Sequence, residues 1–230
     1  PSQELAYIGS YNRWYCTIDL SDASDRVPLS LMSRLFHRSD YRALAATRPS
    51  YVRLPSGRIH KLRMLSPMGD GKTFSVLSVV CIAICVASMM DADGWFAASR
   101  HIGKATFQEY AQKVRVFGDD IIVPSEYYNA VCCGLEAHNL KVNRRKSFVN
   151  GFFREACGCD AYKGVVVTPL RLKIDLDSLR YQEPCEMLPK LIGLHNYAAQ
   201  KYPHLVRTIA TLETIIHRFS PVPLGYTRRC

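Results

Sequence analysis

Three aspartates set the chemistry open to this chain. Asp19 ends the run Trp14-Tyr15-Cys16-Thr17-Ile18, and Asp119-Asp120 lie between Val114-Arg115-Val116-Phe117 and Ile121-Ile122-Val123. Strand formers on both sides of the short Gly118-Asp119-Asp120 break predict a β-hairpin with its carboxylates at the tip. Two adjacent anions at a tight turn repel, and ordinary turn chemistry needs only one Asp. A divalent cation would turn that repulsion into binding, because hard Mg²⁺ prefers carboxylate oxygens and substrate phosphates. An Asp-rich surface turn is the plainer alternative. Asp19 sits where a strand hands over to a loop, a common place for functional groups. If the strand-end acid and the hairpin acids converge, they supply the carboxylates for two bridged metal ions. That arrangement recurs in nucleotidyl transfer, where one metal lowers the pKa of the attacking 3′-hydroxyl and the other stabilises the pyrophosphate.

Several elements must position these acids. Ser21-Asp22-Ala23-Ser24-Asp25-Arg26 is rich in capping residues, and capping is the expected role of Asp22. Pro28 suits a first helical turn, and the pairs Leu31/Leu35 and Met32/Phe36 predict a helix of about three turns. Residues 51–65 read as a hairpin turning at Pro55-Ser56-Gly57. Arg58, His60, Lys61 and Arg63 make its second arm cationic, either as a solvated edge strand or as a contact to a phosphate backbone. The glycine loop Ser66-Pro67-Met68-Gly69-Asp70-Gly71-Lys72-Thr73 is not a P-loop, since its first Gly stands too close to Lys72. It feeds the apolar segment 74–90, which is at the lower limit for a membrane span and carries Ser75, Ser78 and Ser88; a helix buried under a sheet explains it better.

Ser125 is expected to cap a helix reaching His138, with Asn139 at its end. Leu140-Lys141-Val142 predicts a short strand. Asn143-Arg144-Arg145-Lys146-Ser147 is a compact basic loop, a solvated turn or a holder of a triphosphate. Strands are expected over 148–157 and 165–168, joined by a turn around Asp160 and Gly164. From Asp175 onward the spacing of Leu188, Leu191, Ile192 and Leu194, then Leu205, Ile209, Leu212 and Ile216, is helical.

The bulk properties agree with a folded, nucleic-acid-facing protein. With 230 residues, 48% of them hydrophobic, the chain can bury a real core, which excludes a disordered class. Thirty Lys and Arg against 20 Asp and Glu give a net charge of +10. That excess points to a polyanionic partner, nucleic acid first and a membrane surface second. The nine cysteines form no paired CxxC, which argues against zinc and for buried reduced thiols in a cytosolic protein. Cys157-Gly158-Cys159 reads as strand and turn packing. No basic-then-apolar leader opens the chain. It begins at Pro1 rather than Met, so a fragment is expected.

At this point the sequence resembles a family: the catalytic beta subunits of the RNA-dependent RNA polymerases of single-stranded RNA bacteriophages, the levivirus replicases. Four stretches carry the likeness in family order. Thr17-Ile18-Asp19-Leu20-Ser21-Asp22-Ala23-Ser24-Asp25 resembles polymerase motif A. Ser66-Pro67-Met68-Gly69-Asp70-Gly71-Lys72-Thr73-Phe74 resembles motif B. Val116-Phe117-Gly118-Asp119-Asp120-Ile121-Ile122 resembles motif C, and Asn143-Arg144-Arg145-Lys146-Ser147-Phe148 resembles motif D. Phe153-Arg154-Glu155-Ala156-Cys157-Gly158 also has a family look.

The resemblance implies an α+β fold: a polymerase palm over 1–170, its antiparallel sheet backed by helices, with a fingers-side hairpin near 51–65. A helical, partial thumb over 171–230 would follow. It implies two Mg²⁺ ions, with Mn²⁺ as a substitute, held by Asp19, the Leu20 backbone and Asp119, with Asp120 assisting. Asp25 would sense the ribose 2′-hydroxyl. Ser66, Gly69 and Asp70 would read the sugar and position the template, although relatives commonly carry Asn at the position of Asp70. Lys146, or Arg145 beside it, would face the triphosphate and protonate pyrophosphate. The implied partners are template and product RNA, ribonucleoside triphosphates and host translation factors, with no membrane, in the cytoplasm of a bacterial host. In the family, residues that cover the triphosphate precede motif A, so this chain is expected to bind RNA but not to polymerise alone. The alternatives are a reverse transcriptase, which usually carries an aromatic-x-Asp-Asp turn rather than Gly118-Asp119-Asp120, and a non-catalytic RNA-binding palm remnant.

Overall fold

The computed structural model describes residues 2–65, 67–98, 101–169 and 184–219. Ser66, the expected start of the second helical segment at Asp175 and the basic C-terminal end therefore lie outside the described residues. The chain divides into two compact units, Pro1–Thr168 and Pro169–Cys230.

The first unit is an α+β structure built around one three-stranded antiparallel sheet. Strand β1 (Tyr15–Ile18) pairs with β6 (Asp120–Pro124), and β6 pairs with β5 (Arg115–Phe117). Alternation along these strands sorts their side chains to two faces. Cys16, Ile18, Ile121 and Val123 enter the main core, while Ile122 joins Ala6 and Ala156 in a small cluster on the other face.

Helix α4 (Thr73–Ala92) lies in the main core and packs beside α6 (Tyr128–Ala137). Among the described residues α4 is the one helix long and apolar enough to cross a membrane. Val80, Cys81, Cys85, Val86 and Met89 on it are nevertheless fully shielded by protein. Burial pushes the thiols of Cys16 and Cys81 up to about 12 and raises that of Cys85 well above its ordinary value, so all three are inert at neutral pH.

The opposite face is covered by α1 (Ser2–Asn12), which also contacts the meander of β8 (Phe153–Ala156), β9 (Cys159–Tyr162) and β10 (Val165–Val166). Small residues let α1 come close: a Cβ on Gly9 would stand 2.8 Å from the Tyr15 carbonyl oxygen. The buried Ser10 hydroxyl donates to the Tyr7 carbonyl and accepts from the Gly164 N–H. Arg154 is fully buried, and its guanidinium donates to the carbonyls of Tyr15, Val149, Gly151 and Phe153. Its charge is met by carbonyl dipoles rather than by an acid, and burial pulls its pKa down.

Other expectations were met with shifts. The helix after Pro28 is α2 (Leu29–Leu35), two turns long, with Pro28 as an extended N-cap. It is followed by α3 (Arg38–Ala46). The predicted hairpin is β3 (Tyr51–Arg53) with β4 (Ile59–Lys61), exposed at every paired residue. Helix α5 (Lys104–Lys113) leads into β5.

Four local expectations are corrected. Asp22 caps nothing with its side chain; it takes a left-handed φ of 52° at the start of a 3-10 turn over Ala23–Arg26. Asp tolerates that conformation better than most residues. The Ser125 hydroxyl does not cap α6 but donates to the Arg13 carbonyl, and a 3-10 turn separates Ser125 from the helix. The strand expected over 148–157 is confined to β8, with Phe148 making a single bridge to Thr17. Asp160 lies inside β9, and the turns fall at Cys157-Gly158 and Lys163-Gly164, each pair at positive φ. Positive φ at both central residues is what a tight hairpin turn requires.

The second unit is described over α7 (Pro184–Lys201) and α8 (Val206–Phe219). Met187, Leu191, Leu212 and Ile216 form their shared core, as the helical spacing predicts. His195 Nε2 and Glu213 Oε1 lie 3.1 Å apart across the pair.

Candidate active site

The register of the central sheet brings the sequence-distant acids together. Ile18 stands opposite Ile121, so one further step places Asp19 across from Asp120. Their side chains then project from the face opposite α4. Asp119 occupies the two-residue turn between β5 and β6, after Gly118 at φ 66°. That first central position is where a type II′ hairpin takes glycine. The site needs this Gly for space as well, because a Cβ would stand 2.4 Å from the Phe74 ring. The start of α4 buttresses the turn: Ser78 Oγ accepts from the Gly118 N–H at 2.9 Å, and Phe74 meets Phe117 edge-on at 4.7 Å.

Asp19 is held from its other side by the basic loop. The first strand continues past Asp19 as β2 (Leu20–Ser21), which pairs with β7 (Lys141–Val142). Before Asp19, Thr17 and Phe148 exchange backbone hydrogen bonds. The segment 143–147 bows out between those two anchored points. Asn143 Nδ2 donates to Asp19 Oδ2 at 2.9 Å, and the Asn143 N–H donates to the Asp19 carbonyl at 2.9 Å. The Asp19 N–H donates to Ser147 Oγ at 3.1 Å, and that hydroxyl donates on to the Asn143 carbonyl at 2.8 Å. Because Asp19 spends its backbone groups toward Asn143, strand alternation directs those of Leu20 to the hairpin side.

The acids share one electrostatic environment. Burial raises the pKa of Asp19; the Asn143 hydrogen bond and Lys146 lower it, and Asp119 and Asp120 raise it. Burial also raises Asp120, whose Oδ2 accepts from the Cys157 N–H at 3.0 Å. Glu155 is raised by burial first, with Asp160, Asp19 and Asp120 adding to it against Lys146. Lys146 is thus the cation common to Asp19, Asp120 and Glu155, while its own side chain remains exposed. Arg144 is committed elsewhere, to Glu136 at 2.8 Å. Arg145 is exposed and makes no ion pair among the described residues.

The glycine loop leads directly into the start of α4, the part of the helix that supports the hairpin turn. Gly69 adopts φ 95°, and Asp70 pairs with Lys72 at 2.5 Å. Lys72 holds the Asp70 carboxyl below its ordinary range and also donates to the Thr47 carbonyl at 3.1 Å. The negative charge expected of Asp70 is therefore already matched within its own loop. Asp25 is exposed on its 3-10 turn, and no hydrogen bond among the described residues ties it to Asp19. Arg58, His60, Lys61 and Arg63 are exposed on or beside the β3–β4 hairpin and are not joined to the acids. Sequence reasoning missed Asn143, Ser147, Glu155 and the Cys157 N–H as partners of the acids. The polar residues flanking the basic triplet were the available signal for the first two.

Among the described residues, no three Asp, Glu, His or Cys side chains close into a complete metal cage. A magnesium ion does not need one, since it is held by one or two carboxylates and completes its shell with water and phosphates. The donor set suits such an ion: hard oxygens, clustered acids whose burial penalises their charge, and one Asp19 oxygen beyond that bound by Asn143.

The profile of a family described as "RNA replicase, beta-chain" matches residues 1–182. The chain belongs to that family. Among RNA replicase relatives, the RNA-directed RNA polymerase beta chain of Escherichia phage MS2 is 35% identical over 178 residues, covering 77% of this chain and 30% of the relative. That of Enterobacteria phage GA is 33% identical over 195 residues, 85% of this chain and 32% of the relative. The RNA-directed RNA polymerase subunit beta of Escherichia virus Qbeta is 31% identical over 199 residues, 86% and 30%. The chain thus spans about a third of the length of these replicase relatives.

Proposed function

We propose that this chain carries the catalytic palm of an RNA-directed RNA polymerase, with α7 and α8 belonging to a thumb. The observation that supports it most is the register that sets Asp19 beside the Asp119-Asp120 turn, with the basic 143–147 loop fastened to Asp19. In this reading Asp19 and Asp119 bind Mg²⁺, with Mn²⁺ as a substitute, and the Leu20 carbonyl and Asp120 assist. The two ions would supply activation of the 3′-hydroxyl and charge stabilisation on the leaving pyrophosphate. The chain's own groups do the rest. Asn143 orients the Asp19 carboxylate. Lys146 and Arg145 offer cations to the triphosphate, and Lys146 is the proton donor to the leaving group. Gly69, Asp70 and Ser66 line the sugar and template side, and Asp25 reads the 2′-hydroxyl. Arg58, His60, Lys61 and Arg63 attract the RNA backbone.

The substrates would be ribonucleoside triphosphates and an RNA template, in the cytoplasm of a phage-infected bacterium, with host translation factors as further partners. Labelled nucleotide incorporation on a primed RNA tests this reading. It is run on the chain alone and on the chain complemented with the flanking segments of a relative. Mg²⁺-dependent use of ribonucleotides by the complemented chain, abolished by Asp119→Asn, with RNA binding but no incorporation by the chain alone, is the expected result. Equal use of deoxyribonucleotides would favour a reverse transcriptase, and RNA binding without incorporation in either form would favour a palm remnant. Within the same assay, Asp25→Ala should weaken ribonucleotide use far more than deoxyribonucleotide use, because a site built to bond a hydroxyl penalises its loss.

A further inference from the structure

We infer that Asn143 and Ser147 are positioning residues: together they clasp Asp19 and fix which of its oxygens is offered to a metal. The inference rests on the metal reading of Asp19 given above. Its basis is the pattern of hydrogen bonds. If β2 and β7 simply continued their register, Leu20 opposite Val142 would place Asp19 opposite Asn143. Such a pair ordinarily exchanges two backbone hydrogen bonds. Only one is present, from the Asn143 N–H to the Asp19 carbonyl. In the other the Ser147 hydroxyl is inserted, accepting from the Asp19 N–H and donating to the Asn143 carbonyl. The rung is opened by one hydroxyl width, and the Asn143 side chain uses that geometry to reach Asp19 Oδ2 at 2.9 Å.

The consequence is directional. Oδ2 is bound by a neutral donor, which leaves the second carboxylate oxygen for an ion shared with the hairpin acids in this reading. A carboxylate free to rotate would lose entropy on binding an ion; one already held loses less. Asn suits the role because its amide donates without adding charge, whereas an acid there would repel Asp19 and a cation would compete with the metal. The same two residues are the ends of the loop that presents Arg144, Arg145 and Lys146. The groups that aim the carboxylate and those proposed to face a triphosphate therefore belong to one short loop.

The test is Mn²⁺ uptake by the chain, followed by the loss of the free-ion electron paramagnetic resonance signal, beside thermal melting. The nearly isosteric Asn143→Leu should weaken Mn²⁺ binding about 10- to 100-fold, the usual cost of removing a group that orients a ligand. Its melting midpoint should stay close to that of the wild type, which a merely structural role would not predict. Ser147→Ala should weaken uptake in the same direction by less. If Asn143→Leu melts early, Asn143→Ser is judged by the same criterion. Wild-type affinity in these variants, with uptake abolished by Asp19→Asn, would overturn the clasp and leave the metal reading standing. A wild-type chain that takes up no Mn²⁺, or an Asp19→Asn variant that takes up as much as wild type, would sink both.

Discussion

Asp19 and the cationic hairpin 51–61 represent two ways of holding a charged group. Around Asp19 the backbone is tied on both sides, to Phe148 through Thr17 and to Val142 through Leu20, and the carboxylate itself is bonded by Asn143. Among the described residues, β3 and β4 pair only with each other. Beyond the strands the hairpin is fastened at its base, where Arg48 donates to the carbonyls of Leu62 and Met64. Chemistry that depends on the position of one oxygen needs the first kind of site. Attraction of a polyanion depends on charge and tolerates the second. The difference teaches that the cost of replacing a charge here should follow how it is held, not how many charges surround it.

The largest effects should fall on the two acids proposed to bind metal, Asp19, whose carboxylate is held, and Asp119, which is exposed on the hairpin turn. In the chain complemented with its flanking segments, Asp19→Asn or Asp119→Asn should cut nucleotide incorporation by roughly two to four orders of magnitude, since each removes several kcal/mol of charge stabilisation. Asp120→Asn should cost less, because in the proposed site Asp120 assists and is not a principal metal ligand. Near-normal turnover in both Asp19 and Asp119 variants would erase the distinction drawn above. Next comes the turn that carries Asp119. Gly118→Ala forces a side chain into positive φ against the Phe74 ring, and the strain should cost about 1–3 kcal/mol and lower the melting midpoint. Removing the obstacle with Phe74→Ala in the same chain should recover only the steric part.

The hairpin should give smaller and additive losses. Replacing Arg58, Lys61 and Arg63 by Ala should weaken RNA binding evenly across sequences and lower the slope of log affinity against log salt by about one per residue. A single substitution there that abolished binding would show a placed contact instead of a general field.

The smallest effect is on stability. Asp19 and Asp120 have raised pKa values in the fold, so the folded state holds their protons more tightly than the unfolded state does. Their charge therefore costs stability at neutral pH, and the cost fades as pH falls from the raised values toward the ordinary carboxylate range. Asp70, held low by Lys72, stays charged across that window. The metal-free chain should melt slightly higher as pH falls from neutral toward the ordinary carboxylate range, and Asp120→Asn should flatten the trend. Melting followed by circular dichroism in buffer with a chelator checks the sign.

The parts legible in the sequence were those with a local cause. Strand formers around Gly118-Asp119-Asp120 give the hairpin, and the unbroken apolar run gives α4. Helix α1 was not legible because its buried face is Ala6, Gly9 and Ser10. Small residues chosen for close approach leave no apolar stripe to read. Helix α3 buries none of its residues and α5 only Tyr110, so neither announces a core face. The partners of Asp19 were hidden for a different reason. Asn143 bonds it across 124 positions of chain, and no spacing rule reaches that far. The caps expected of Asp22 and Ser125 failed because nearby backbone offered those residues other partners or another conformation.

The same separation has a meaning in time. A ribosome adds about 5–20 residues per second, so roughly ten seconds pass between the emergence of β1 and that of the segments that flank it. Until then β1 carries two open edges, and an unpaired edge invites pairing with another chain. Arg154 arrives last, and its guanidinium gathers carbonyls from Tyr15, Val149, Gly151 and Phe153 in one step. A nascent chain stalled before residue 154 would hold Asp19, Asp119 and Asp120 and yet lack the latch that closes the sheet. For a growing polypeptide, that arginine marks the moment at which the first strand made can finally be committed.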